Sequence, residues 1–362
     1  RVDAGGASIK IRIVKGANLA MEKVDAETHD WPLAPYGSKV EVDANFKRML
    51  HEGCRKEVAR AVRLGVASHN LFDIAYGLLL RAREGVEDRV EFEMLEGMAN
   101  HQARTVRDAA QGLLLYAPVV KREDFHSAIA YLVRRLDENT SPENFLHDLF
   151  GMKPGDAAWD RQKARFLNAC AMIGTTTYGP QRVQDRTTED RAPHPLDSPF
   201  HNEADTDWSL PHNVRWVRER VEAMRKAEPP FVPLQIGGKT TPGSATAEGA
   251  DPSRPGNVAY RHALGGPEDI ERALKVAVSA RESWKHLGWQ ARAEIIARVA
   301  AVIASRRGEA IATMVLDAGK AVMEADAELS EAIDFADYYA RSFSREGAFD
   351  GLACEPLGTV LV

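Results

Sequence analysis

The stretch Ile9-Lys10-Ile11-Arg12-Ile13-Val14-Lys15-Gly16-Ala17 decides the fold of the first part of the chain. Its β-branched run, Ile9–Val14, closed by a glycine turn, reads as a buried strand. The same unit recurs downstream. A helix-like stretch around 46–64 precedes Gly65-Val66-Ala67-Ser68-His69-Asn70, the helix 71–83 precedes the strand 90–95, and the helix 101–111 precedes the apolar run 113–120. An amphipathic helix over 123–139 closes the series. Strand–helix alternation at this spacing implies parallel strands joined by helical crossovers. Four units in about 150 residues amount to half of an eight-stranded α/β barrel, which takes about 250. An open doubly wound sheet is the competing architecture, and no G-x-G-x-x-G follows any strand to favour its dinucleotide-binding form.

The remaining composition bounds the function. At 362 residues the chain is long enough for two or three domains, and 44% hydrophobic with 28% charged residues is globular. A net charge of −6 offers no basic field for nucleic acid or anionic lipid. No run of eighteen apolar residues occurs, as a spanning helix would need. Cys54, Cys170 and Cys354 are far apart and form neither a disulfide framework nor a zinc signature, which suits a reducing cytoplasm. His51, Cys54 and His69 lack a further ligand at metal-binding spacing and read as ordinary side chains. The chain starts Arg1-Val2-Asp3 and stops at Gly358-Thr359-Val360-Leu361-Val362, which reads as a buried strand, so both ends read as cut.

Residues 151–229 read as a connector, with helices 156–172 and 214–226 flanking a polar stretch rich in Pro, Asp and Arg. A third region, 230–362, opens on Phe231–Lys239, a strand followed by a Gly-Gly turn, then the loop 251–256. Helices over 267–287, 290–305, 307–318 and 321–344 follow.

One helical face carries chemistry. In Tyr131-Leu132-Val133-Arg134-Arg135-Leu136-Asp137-Glu138-Asn139, the residues Tyr131, Arg134, Arg135 and Glu138 stand at i, i+3, i+4 and i+7. Two guanidiniums can clamp one carboxylate bidentately, Glu138 can hold one of them in its rotamer, and the Tyr131 ring can pack on a small apolar body. By spacing alone the same face could be a solvated surface with an ordinary i,i+4 ion pair.

The string Y-L-V-R-R-L-D-E-N resembles the final barrel helix of proline dehydrogenases, in which this face grips the substrate carboxylate. Tyr116-Ala117-Pro118-Val119 is similar to the family's Y-A-P-V on the preceding strand. Arg12-Ile13-Val14-Lys15-Gly16-Ala17 is similar to its R-L-V-K-G-A, Ala67-Ser68-His69-Asn70 to its T-H-N, and Glu91–Met98 to the strand and turn that follow. The resemblance implies FAD-dependent oxidation of L-proline to pyrroline-5-carboxylate. It implies catalytic roles for Arg12, near flavin N5, and Tyr116. It assigns the substrate to Tyr131, Arg134, Arg135 and Glu138, and the cofactor to Arg12, Val14, Lys15, Gly16, Ala17, Lys39, His69 and Asn70. The chain departs at Asn18-Leu19, where many members carry Tyr-Trp, and the earlier barrel strands, with a lysine and an aspartate near the substrate, are absent.

The third region resembles the beginning of aldehyde dehydrogenases. Leu234–Lys239 with Asp251-Pro252 matches their first strand pair. Asp317-Ala318-Gly319-Lys320, Glu324, Glu328, Glu331–Phe335 and Tyr338-Tyr339-Ala340 match E-x-G-K…E-x-x-E-A-I-D-F…Y-Y-A, and Pro356–Val360 matches the strand that leads to the NAD loop. Cys354 precedes that strand and is not the family's nucleophile, which, like its phosphate-binding turn and general-base Glu, falls downstream.

Together these resemblances imply an α/β chain in three parts. Residues 1–150 would be the C-terminal half of a (βα)8 proline dehydrogenase barrel and 151–229 a mostly helical or irregular connector. Residues 230–362 would be the N-terminal helical part of an aldehyde dehydrogenase fold. The implied parent is a cytoplasmic bifunctional enzyme that also oxidises glutamate semialdehyde to glutamate with NAD. Quinone or another acceptor, a homo-oligomer and a peripheral membrane contact are the further partners implied. The 362 residues alone are expected to turn over proline weakly or not at all. A non-catalytic scaffold, or a carboxylate-binding α/β protein serving transport or sensing, is the alternative.

Overall fold

The computed structural model describes residues 2–16, 18–140, 142, 144–149, 151–189, 192–344, 351–352 and 357–362, without the side chains of 137–139, 343 and 344. It forms two compact units: residues 1–24 with 33–181, and residues 25–32 with 182–362. The expected connector is thus divided at 181/182.

The first unit is built on β1 (Ile9–Val14), β2 (Val62–Ala67), β3 (Val90–Leu95) and β4 (Leu114–Tyr116), a parallel sheet in the order β1-β2-β3-β4. Register runs Ile13↔Val66, Val66↔Phe92 and Met94↔Leu115. Neighbours in sequence are neighbours in space throughout, so the four strands contain no reversal of the kind that marks a doubly wound sheet.

After β1 come α1 (Leu19–Thr28), α2 (Lys39–Cys54) and the single turn α3 (Lys56–Ala59); α4 (Leu71–Glu84) and α5 (Asn100–Ala110) follow β2 and β3. After β4 come a 3-10 turn at Arg122–Asp124, α6 (Phe125–Thr140), α7 (Phe145–Leu149) and α8 (Ala157–Ala171). The helix expected over 46–64 is corrected. A capping box, Ser38 with Glu41, starts α2 at Lys39. Extended backbone at Arg55 stops it, and the chain is already in β2 at Val62.

Central strands β2 and β3 are mostly buried, and Leu64, Val66, Val90, Phe92 and Met94 meet Phe46 and Leu50 of α2 and Ile74 and Leu80 of α4. The edges differ: Ile9, Ile11 and Val14 of β1 and Leu114, Leu115 and Tyr116 of β4 are exposed, as are Ile129, Leu132, Val133 and Leu136 of α6.

The second unit holds α9 (Pro211–Lys226), then β5 (Phe231–Val232), β6 (Leu234–Ile236), β7 (Lys239–Thr241), β8 (Ala245–Ala250) and β9 (Val258–Leu264). The β6–β7 hairpin closes through Gly237 and Gly238, at φ 59° and 74°, which a two-residue turn of this hand requires at both central positions. β9 pairs antiparallel with β8 and parallel with β5. Four helices follow, α10 (Pro267–His286), α11 (Trp289–Ser305), α12 (Arg307–Ala318) and α13 (Val322–Ser344). A stripe of alanines, Ala293, Ala297, Ala300 and Ala304, is buried on α11, and its C-terminal end packs on Ile333 of α13. Ile311, Val315 and Leu316 of α12 pack on Val217 and Val221 of α9.

Beneath them Arg307 is buried and donates to Asp326 at 2.5 Å, to Glu203 at 3.0 Å and to Ser330 at 3.0 Å. The terminal segment 358–362, expected as a buried strand, has no strand, and Val360, Leu361 and Val362 are exposed. Among the described residues no strand pairs with it, so its backbone forms no ladder despite its β-branched composition. Cys354 and Pro356 lie outside the described residues. Among the described residues no helix is long and apolar enough to cross a membrane.

Candidate functional site

The C-terminal ends of β1 and β2 open on a cleft of about 890 Å3 in the first unit. Parallel strands project their last residues to one edge, so separate motifs converge there. Arg12, Val14, Lys15 and Gly16 come from β1 and its turn, and His69 and Asn70 from the turn after β2. Asn70 is also the N-cap of α4, its side-chain oxygen accepting from the backbone N–H of Phe72 (3.0 Å) and Asp73 (3.4 Å). That cap fixes the turn that carries His69.

His69 Nε2 accepts the backbone N–H of Leu95 at 3.0 Å, so the neutral ring carries its proton on Nδ1. That Nδ1 is buried without a hydrogen-bond partner. Burial pushes the imidazole pKa down to about 4. A neutral ring with one unfilled donor beside a large cleft suits an acceptor on a bound group.

The floor of the cleft is a cluster of three ammoniums and two carboxylates. Lys15 donates to Asp73 at 2.5 Å and pairs with Asp43 at 2.5 Å. Lys39 donates to Asp43 at 2.7 Å, and Lys47 lies 2.9 Å from Asp73 and 4.7 Å from the Phe166 ring centre. Lys47 and Asp73 are each 1% exposed. Burial opposes charge on Lys15, but Asp73 and Asp43 outweigh it and hold the ammonium above its ordinary pKa. Burial likewise opposes charge on Asp43, and Lys15 and Lys39 keep its carboxyl below the usual range. Lys39 is displaced the other way, its pKa lowered by burial and by Lys15. The cluster carries one cation more than its anions, and Lys39, its most exposed lysine, can face an anionic group.

On β1, Arg12 donates from Nε to Glu93 Oε2 at 2.6 Å, with its guanidinium carbon 5.3 Å from the centre of the Tyr116 ring. Tyr116 does not itself line the cleft and braces Arg12 instead. Arg134 and Arg135 of α6 both line it, with guanidinium carbons 6.0 and 5.0 Å from the Tyr131 ring centre. Tyr131 is therefore a platform under both guanidiniums. Ala17 and the Glu138 side chain lie outside the described residues.

Sequence reasoning did not single out Lys47, Asp73 or Glu93. The legible signal for Glu93 was an acidic residue within an otherwise buried strand, Val90-Glu91-Phe92-Glu93-Met94-Leu95. His51 is hydrogen-bonded to the Tyr76 hydroxyl at 2.5 Å, and burial pushes the Cys54 thiol up to about 11.

Residues 2–148 match the proline dehydrogenase family, and residues 240–358 match the aldehyde dehydrogenase family. The chain thus resembles two oxidoreductase families in series. In that arrangement it is like a bifunctional proline and 1-pyrroline-5-carboxylate dehydrogenase. Proline utilization A from Bdellovibrio bacteriovorus, inactivated by N-propargylglycine, superimposes with a TM-score of 0.75 at 28% identity over 94% of this chain and 33% of that one. Proline utilization A from Corynebacterium freiburgense gives 0.67 at 35% identity over 94% of this chain and 28% of that one. The 1-pyrroline-5-carboxylate dehydrogenase of Staphylococcus epidermidis is 33% identical over 171 residues, 44% of this chain and 33% of its own length. This chain spans about a third of the relatives it matches.

Proposed function

We propose that the cleft of the first unit holds FAD and oxidises L-proline to pyrroline-5-carboxylate, in a protein whose aldehyde dehydrogenase part oxidises the derived glutamate semialdehyde to glutamate with NAD. The observation that carries this reading is the convergence of Arg12, Lys39, His69, Arg134 and Arg135 on one cleft. On this reading the four-stranded sheet is half of a (βα)8 barrel. The unreversed strand order and the exposed apolar edges at β1 and β4 support that. Residues 1–150 are its share, 151–229 the connector, and 230–362 the aldehyde dehydrogenase share.

The cleft residues fit the cofactor. The unfilled Nδ1–H of His69 can donate to it, Lys15, Gly16 and Lys39 supply cationic and backbone contacts, and Arg12 stands at the β1 edge. FAD, when bound, supplies the acceptor for the hydride equivalent leaving the carbon next to the amine. The chain's own residues supply position and charge. Arg134 and Arg135 clamp the substrate carboxylate, and the Tyr131 ring steadies their guanidiniums. Arg12 brings positive charge to the side of the cleft where negative charge accumulates. The cyclic imine opens by hydrolysis to the semialdehyde, and the electrons pass to a quinone or other acceptor.

The test is flavin bleaching by L-proline under anaerobic conditions in the full-length protein. Arg134→Met and Arg135→Met are expected to keep the flavin and lose bleaching by at least a hundredfold at fixed proline. Unchanged turnover in both variants would remove the substrate assignment.

A further inference from the structure

Glu93 is a carboxylate only 2% exposed, placed two strands away from the arginine it serves. Arg12 of β1 pairs in register with Gly65 of β2, and Glu93 of β3 pairs with Ala67. A carboxylate on β3 can meet a guanidinium on β1 only by crossing the strand between them. Gly65 leaves that crossing open: a Cβ there would lie 2.4 Å from Glu93 Oε1 and 3.0 Å from Lys10 Cε. Gly65 is not among the residues with positive φ, so its backbone does not demand glycine; the space does. Lys10, two residues before Arg12 on the same face, reaches the other oxygen of Glu93 at 2.8 Å and also pairs with Glu91. Tyr116 of β4 covers the Arg12 guanidinium. All four strands therefore contribute to holding one arginine at the cleft wall.

We propose that Glu93 is a positioning residue that fixes Arg12 at the cleft and offsets its charge there, with Gly65 as the clearance that lets it reach. The proposal rests on the flavin reading above. An arginine beside the cofactor favours the electron-rich reduced form, and a carboxylate bonded to that arginine opposes it. The pair thus sets the reduction potential between the two extremes.

Glu93→Gln separates charge from position, because the amide oxygen can still accept from Arg12 Nε while the negative charge is gone. Lys10 keeps Glu91 as its partner. In the full-length protein the bound FAD is expected to favour its reduced form about tenfold more in the Gln variant. That is a rise of roughly 30 mV for a two-electron couple. An unchanged or lowered potential overturns the charge offset, since a merely structural loss would loosen Arg12 and lower it.

Position is read without the cofactor, by exchange of the Arg12 Nε–H in arginine-labelled protein. Exchange is expected to stay slow in Glu93→Gln and to quicken at least tenfold in Glu93→Ala and Gly65→Ala. Equal rates in all four proteins overturn the positioning role. Failure to bind FAD at all would strike the cofactor reading, while the exchange rates would still decide the positioning.

Discussion

The buried pair Lys47–Asp73 offers the sharpest perturbation of the cleft floor. Both side chains are 1% exposed and 2.9 Å apart, and Asp73 also accepts from Lys15. Replacing Asp73 by Asn keeps the volume and removes the only charge that this carboxylate position supplies to two ammoniums. Lys47 then sits buried between the backbone carbonyl of Asp43 (3.4 Å) and the Phe166 ring, contacts worth less than an ion pair. Breaking one side of a buried pair costs about 3–5 kcal/mol. With a urea slope of about 2 kcal/mol per molar, the midpoint of the first unit should fall by about 1.5–2.5 M. Hydrogen exchange at β2 and β3 amides, followed by mass spectrometry across urea, reports that unit separately. Lys47→Met should cost a similar amount, and Lys47→Met with Asp73→Asn should cost less than the sum, because Lys47 is then no longer a buried charge without its carboxylate. A midpoint shift below about 0.5 M for Asp73→Asn, or strict additivity in the double variant, would show that Lys47 does not depend on this carboxylate.

Three further outcomes follow from particular residues. His69 is half-buried and neutral, with a pKa of about 4 against an ordinary 6.5, so the unfolded chain takes up its proton first as the pH falls. Its contribution is therefore complete above pH 6.5 and is lost towards pH 4, and an NMR titration midpoint near 6.5 would contradict this. Gly319 ends α12 at φ 67°, and a Cβ there would stand 2.9 Å from Pro252 Cγ, so Gly319→Ala should cost about 1–2 kcal/mol and lower the melting temperature of the second unit by several degrees. An unchanged melting temperature would show that the loop at Pro252 yields freely. Cys54 is fully buried with its thiol pushed up to about 11, and maleimide should leave it unmodified in the native protein while labelling it in urea. Rapid native labelling would contradict the burial.

The parallel sheet was legible because each crossover leaves two signatures, a β-branched run and a helical period, and these placed β1, β3, α4 and α5 within a residue or two. Boundaries set by caps were less so. Ser38 with Glu41 begins α2 seven residues before the apolar pattern around Phe46 suggested a helix, and Arg55 ends it where the apolar pattern continues. Strand β8 escaped reading because Ala245-Thr246-Ala247-Glu248-Gly249-Ala250 lacks the large β-branched residues that mark a strand, and its pairing comes from β9. The Arg134–Arg135 face was legible from i, i+3, i+4 spacing. Its companions were not: Lys47 and Asp73 stand far apart in sequence, and Glu93 reaches Arg12 across a strand. Such pairs exist only once register and sheet order are fixed, and no local period announces them.

The proposed flavin site and the proposed carboxylate clamp share one cleft. The most direct test of that sharing is the titration of FAD-loaded full-length protein with a cyclic carboxylate that lacks the oxidisable amine, followed by the shift in flavin absorbance. The expected result is saturable perturbation of the flavin spectrum that Arg134→Met and Arg135→Met each weaken at least tenfold while FAD stays bound. A spectrum unmoved by the ligand, or moved as strongly in both variants as in the unaltered protein, would contradict a shared cleft.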